Sequence, residues 1–84
     1  MHITLKLYAT LTDYLPSGAR RDNQMQLEIE DGATVASIIA PLNLPPKLIH
    51  LVLVNGVFIP PSGRAKYAFK EADVLAIWPP IAGG

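Results

Sequence analysis

Eighty-four residues, half of them hydrophobic and 17% charged, make one small globular domain, too short for two cores and too apolar for disorder. Seven basic residues balance seven acidic ones, which argues against nucleic-acid binding driven by a basic surface. The lack of cysteine excludes disulfides, iron–sulfur clusters, thiolate nucleophiles and cysteine-ligated zinc. No apolar run approaches the roughly 20 residues of a membrane helix, and Met1-His2-Ile3-Thr4-Leu5-Lys6 lacks the regions of a signal peptide. Cytoplasmic residence away from membranes is the expectation.

Ile3, Leu5 and Leu7 alternate with Thr4, Lys6 and Tyr8, the period of a strand with one buried face. Ala9 to Leu15 reads as a short helix capped by Thr10 and answered by Asp13, with Leu11 and Leu15 one turn apart and aimed at the core. Pro16-Ser17-Gly18 stops it, and Ala19-Arg20-Arg21-Asp22-Asn23 reads as a solvated loop. Met25, Leu27 and Ile29 alternate with Gln26, Glu28 and Glu30 as a second half-wet strand. After the Asp31-Gly32 turn, Thr34 caps a helix with Val35, Ile38 and Ile39 on its apolar side, and Pro41 ends it early.

His50-Leu51-Val52-Leu53-Val54 is a continuous apolar run and reads as an inner strand. Asn55-Gly56 tolerates positive φ at both turn positions and predicts a tight hairpin returning through Val57-Phe58-Ile59, with Phe58 in the core. Pro60-Pro61-Ser62-Gly63 breaks the return, and the acidic turn Glu71-Ala72-Asp73 leads into a last strand ending at Trp78. Strands early and late with a crossing helix between them predict an α+β domain, a mixed sheet of four to five strands with helices on one face. The β-grasp is one fold with this order, its first and last strands adjacent and parallel at the centre.

Chemistry-bearing constellations are few. His2 and His50 are the only histidines and have no carboxylate at metal-ligand spacing, so no metal site is expected. Ser17, Ser37 and Ser62 lack the Gly-x-Ser-x-Gly setting of a serine nucleophile, and no phosphate loop is present. The carboxylates sit at turns and on outer strand faces, where solubility explains them, and Arg64, Lys66 and Lys70 read as solvated surface. The chain is not an enzyme on this reading.

What remains is the end, Pro79-Pro80-Ile81-Ala82-Gly83-Gly84. A Gly pair at one terminus arises by chance in roughly one chain in 200. Without side chains it can slide into a narrow channel and present its carboxylate unobstructed. The domain is expected to span residues 1–84, with 79–84 as a flexible tail on a base stiffened by the two prolines.

Leu53-Val54-Asn55-Gly56, Glu71-Ala72-Asp73-Val74 and the Pro-Pro-x-Ala-Gly-Gly end together resemble the ubiquitin-like sulfur carriers, namely the small subunit of molybdopterin synthase and the thiamine-biosynthesis sulfur carrier. The resemblance covers essentially the whole chain, and its tail is closer to the molybdopterin branch. It departs where that acidic turn usually contains Gly, and where Ile77-Trp78 replaces paired aromatics before Pro-Pro. The resemblance implies a β-grasp fold and a protein co-substrate, monomeric when free. Its Gly84 carboxylate would be adenylated by a partner E1-like enzyme and turned into a thiocarboxylate, with Gly83 giving access.

No cofactor is bound by the chain itself, and ATP is used by the partner. The acceptor would be the large subunit of molybdopterin synthase or a thiazole synthase. Two other readings stand beside this: a ubiquitin-like modifier conjugated through Gly84, and a β-grasp binding module whose Gly-Gly end is accidental. Docking is expected on Ala76, Trp78, Pro79, Pro80, Ile81 and Ala82. On the last strand Leu75 and Ile77 suit the core while Val74, Ala76 and Trp78 share the other face. Trp78 reads equally as an exposed docking anchor and as a packed core residue.

Overall fold

The computed structural model describes residues 1–80. Five strands form one mixed sheet in the order β2-β1-β5-β3-β4. They are β1 (His2–Leu7), β2 (Gln24–Glu28), β3 (Leu51–Val54), β4 (Val57–Phe58) and β5 (Val74–Trp78). β1 runs parallel to β5 at the centre, and every other pairing is antiparallel. One α-helix, α1 (Val35–Ile39), crosses from β2 toward β3, helped by short 3-10 segments at Ala40–Leu42 and Pro46–Leu48. This is the α+β sheet expected from the pattern.

The period of two in the strands decides what is buried. Ile3, Leu5 and Leu7 of β1, Val52 and Val54 of β3, and Leu75 and Ile77 of β5 turn to one face. That face is covered by Leu11, Leu15, Val35, Ile39, Leu44, Ile59 and Phe69 from the helical and loop segments. A fully buried leucine or isoleucine contributes about 1.5–3 kcal/mol. In a domain this small these side chains supply the main stabilisation.

The helix forms where Thr34 begins it. Ser37 N–H donates to Thr34 Oγ1 at 3.2 Å, and Thr34 N–H donates back to Ser37 Oγ at 2.9 Å, a capping box closed by serine in place of the usual glutamate. The next two free amides, Val35 and Ala36, donate to the Tyr67 and Arg64 carbonyls, so the loop before β5 completes the helix start. Pro41 ends the helix as expected, the chain continuing through one 3-10 turn to Asn43 at φ 55°.

Several expectations change. The segment after β1 is a 3-10 helix, Ala9–Tyr14, whose cap falls two residues earlier than expected, at Tyr8, with Ala9 at φ 53°. Tyr8 is its N-cap and no side chain caps it, so Thr10 lies inside the helix, and Thr12 Oγ1 bonds back to the Ala9 carbonyl. Leu11 and Leu15 are nonetheless buried as expected. Arg20, although exposed, is tied down, its guanidinium donating to the Leu15 and Asp13 carbonyls at 3.0 Å each. β3 lies inside the sheet but buries only one face, leaving Leu51 exposed. Phe58 is not core: it is 49% exposed, because a two-residue edge strand pairs it with Leu53 on the face no helix covers.

The Asn55-Gly56 turn has φ 51° and 82°, the positive pair expected of a tight hairpin. The asparagine also braces β5: its Oδ1 accepts from Val74 N–H and its Nδ2 donates to Asp73 Oδ1, both at 2.8 Å. Asp73 overturns the reading of the carboxylates as surface groups, being 5% exposed. Glu71, on the same turn, accepts from the His2 amide at 2.8 and 3.0 Å and so ties β1 to the turn.

Ala72 occupies a left-handed conformation at φ 69°, in the turn where glycine is the usual residue. A Cβ there costs about 1–2 kcal/mol, against about 0.4–1 kcal/mol of chain freedom that glycine loses on folding. Ala72→Gly is therefore expected to stabilise the domain by up to about 1.5 kcal/mol, measured as a higher urea midpoint. A lower midpoint would show that the turn is relaxed with alanine.

Candidate docking face and chain exit

The uncovered face of the sheet divides by chemistry. Toward the β2 edge it is polar: Gln24, Gln26 and Glu28 are exposed, and Gln26 Nε2 donates to Thr4 Oγ1 across the β1–β2 pair at 2.8 Å. Toward β4 it is apolar. The register sets Leu53 beside Ala76 and Phe58, and Leu51 beside Trp78. An uncovered apolar patch on a small domain is a candidate for a surface that meets a partner.

Trp78 closes this patch and resolves the choice between core and surface: it is 38% exposed, the last residue of β5, on the uncovered face. One side of its indole is covered by Tyr8, whose ring lies parallel at 4° with centroids 3.8 Å apart. Tyr8 follows directly on β1, and the parallel pairing of Leu7 with Ile77 brings the two aromatics side by side. Ala76 shares the face but is 8% exposed, so it forms the floor of the patch rather than its rim.

The exit of the chain is held from both sides. Tyr8 N–H donates to the Ile77 carbonyl at 3.2 Å, and His50 N–H donates to the Trp78 carbonyl at 3.1 Å. Pro79 is buried and Pro80 exposed. Neither has an N–H, so the sheet ladder cannot be extended through them. Ile81, Ala82, Gly83 and Gly84 lie outside the described residues.

At its start β5 is anchored by the Asp73 carboxylate, which accepts from Asn55 Nδ2 at 2.8 Å, Lys70 N–H at 2.9 Å and Tyr67 Oη at 3.0 Å. Burial pushes this carboxyl up, but the Lys70 amide, then Asn55 and Tyr67, outweigh it and hold the group below its usual value. Tyr67 is raised by desolvation and by its bond to Asp73. These are structural bonds, braced away from the exit, and the network offers no reacting group. Among the described residues no cluster of three or more histidines and carboxylates could hold a metal, and no helix is long and apolar enough to cross a membrane.

Sequence patterning placed Trp78 and Ala76 on a common face but missed Tyr8, Leu51, Leu53 and Phe58. Tyr8 follows the alternation of β1, whereas Leu51, Leu53 and Phe58 lie in apolar runs that mark no face, and only the strand order shows that they adjoin.

A model of the ThiS family matches residues 6–84. Among solved structures, the chain is similar to the HVO 2177 protein of Haloferax volcanii, with a TM-score of 0.75 at 24% identity, over 100% of this chain and 87% of that one. It is also similar to SAMP1 from Haloferax volcanii, with a TM-score of 0.69 at 23% identity over 100% of both chains. A third likeness is to a chain in the complex of subunits 1 and 2 of the molybdopterin-converting factor from Helicobacter pylori, with a TM-score of 0.62 at 16% identity over 100% of both. At such identities the likeness establishes the fold, a β-grasp. No curated protein matches significantly.

Proposed function

This chain belongs to the ThiS family of ubiquitin-like sulfur carriers, and on that premise we propose that it carries sulfur as a thiocarboxylate on Gly84, most directly for molybdopterin assembly. The family is one of small carriers rather than catalysts. The observation that bears the most weight is the family match running through Gly84, on a chain whose described part offers a docking face and a held exit but no reacting side chain. The molybdopterin branch is favoured over the thiamine branch by the Pro79-Pro80-Ile81-Ala82-Gly83-Gly84 end.

The chemistry asks for a partner at each step. The Gly84 carboxylate attacks the α-phosphorus of ATP held by an E1-like enzyme, and pyrophosphate leaves. Hydrosulfide, or a protein donor equivalent to it, then adds to the acyl-adenylate carbonyl. AMP departs with one former carboxylate oxygen, and sulfur takes its place. This chain's part is to bind, to orient and to reach. Its apolar face borders the exit at Trp78, so a partner that admits the tail must also cover Leu51, Leu53, Phe58 and Trp78. Pro79 and Pro80 reduce the ordering entropy lost when the tail is admitted.

The docking face is tested by Phe58→Asp, which places a charge in the patch at an already exposed position. The domain should stay folded while its affinity for the adenylating enzyme falls about tenfold or more, measured by titration calorimetry. Unchanged affinity would remove this face from the interface.

A further inference from the structure

Two groups hold the last residues of β5 from the β1 side, and both belong to Tyr8. Its amide bonds the Ile77 carbonyl at 3.2 Å, and its ring lies flat on Trp78 at 3.8 Å. From the β3 side there is the His50 amide on the Trp78 carbonyl at 3.1 Å. Immediately past Trp78, Pro79 and Pro80 have no N–H to offer a strand. The direction of departure is therefore set at Trp78, which β3 holds through its backbone and Tyr8 holds through its ring.

We propose that Tyr8 is a positioning residue for the reaction at Gly84: its stack on Trp78 and its bond to Ile77 aim the chain as it leaves the sheet. This rests on the sulfur-carrier reading above. Fully extended, the six residues from Pro79 to Gly84 reach at most about 20 Å. A tail this short has little slack to correct a wrong starting direction. Once the body is docked, an end of β5 loosened by loss of the stack would leave the carboxylate off its reacting position in a larger share of complexes. Tyr8 thus acts on the turnover of docked carrier, beyond whatever its ring adds to docking.

The test is steady-state loading by the adenylating enzyme of the same cell, with ATP and sodium hydrosulfide, the carrier being the varied substrate. Tyr8→Ala should lower kcat about tenfold to a hundredfold with little change in KM. Tyr8→Phe, which keeps the ring, should recover most of that loss. The near-ultraviolet circular dichroism of the stacked pair should vanish in Tyr8→Ala and persist in Tyr8→Phe. Should Tyr8→Ala unfold, Tyr8→Leu keeps apolar bulk without the planar stack and is expected to show the same fall in kcat.

A rise in KM at constant kcat would make Tyr8 an ordinary docking contact and overturn the proposal, as would wild-type values of both constants in a folded variant lacking the ring. Failure of the wild-type chain to be loaded at all would overturn the sulfur-carrier reading itself, and this proposal with it.

Discussion

Removing Gly84 is expected to leave a folded chain that no longer gains sulfur. With the body docked through the face around Trp78, as proposed, its distance from the adenylating site would be unchanged. The terminal carboxylate, now on Gly83, falls short by about 3.3–3.6 Å, the span of one extended residue. A misplacement of about 1 Å can cost a hundredfold in rate, so the loss should exceed that and read as no loading. Gly84→Ala tests the same point differently. It keeps the length but sets a Cβ beside the reacting carboxylate in a channel suited to glycine, and loading should fall by a comparable factor. Among the described residues the hydrophobic core runs from Ile3 to Ile77, so melting should stay close to that of the wild type. Loading of the deletion variant at the wild-type rate would mean that the chemistry is not at this terminus.

The largest effect on stability is expected at Asp73. Asp73→Ala takes the acceptor from three donors at once, the Asn55 amide, the Lys70 N–H and the Tyr67 hydroxyl. Hydrogen bonds to a charged group contribute about 1.5–3 kcal/mol each, and donors left unpaired add to the loss. Asn55 is exposed and Tyr67 half-exposed, so water replaces part of what is lost, and a destabilisation of about 3 kcal/mol is expected. For a domain with roughly 5–10 kcal/mol in total that is a large fraction, visible as a drop in the urea midpoint.

The pH dependence follows from the same bonds. The folded carboxyl is held below its unfolded value of about 3.9. Its contribution is therefore complete above that value and is lost as pH falls through the folded pKa. Wild-type stability should decline below about pH 4, and Asp73→Ala should lack that part of the decline. A variant as stable as the wild type at neutral pH would contradict the role given to the network.

What could be read beforehand follows from the range of the signal. Alternation in β1 and β2 exposes the core face directly, and Asn55-Gly56 fixes a hairpin because only its two φ values are needed. Thr34 and Pro41 mark the ends of α1 by local chemistry. Long-range facts were not legible. Tyr8 meets Trp78 only because β1 and β5 pair in parallel across some 70 residues of chain (Leu7 beside Ile77).

Asp73 sits in an acidic turn that reads as solvated, and its burial depends on donors from the hairpin and from the segment at 67–70. Phe58 looks like core by composition, and only its place on an edge strand of two residues leaves it uncovered. The turn at Ala72 was visible as a departure from glycine, but its cost appears only with φ 69°.

The most direct measurement is the intact mass of the full chain after incubation with the adenylating enzyme of the same cell, ATP and hydrosulfide. A carrier gains the mass of one oxygen exchanged for sulfur, located by fragmentation at Gly84, and only when ATP is present. An unchanged mass, or covalent attachment of Gly84 to protein lysines in place of the exchange, would contradict it.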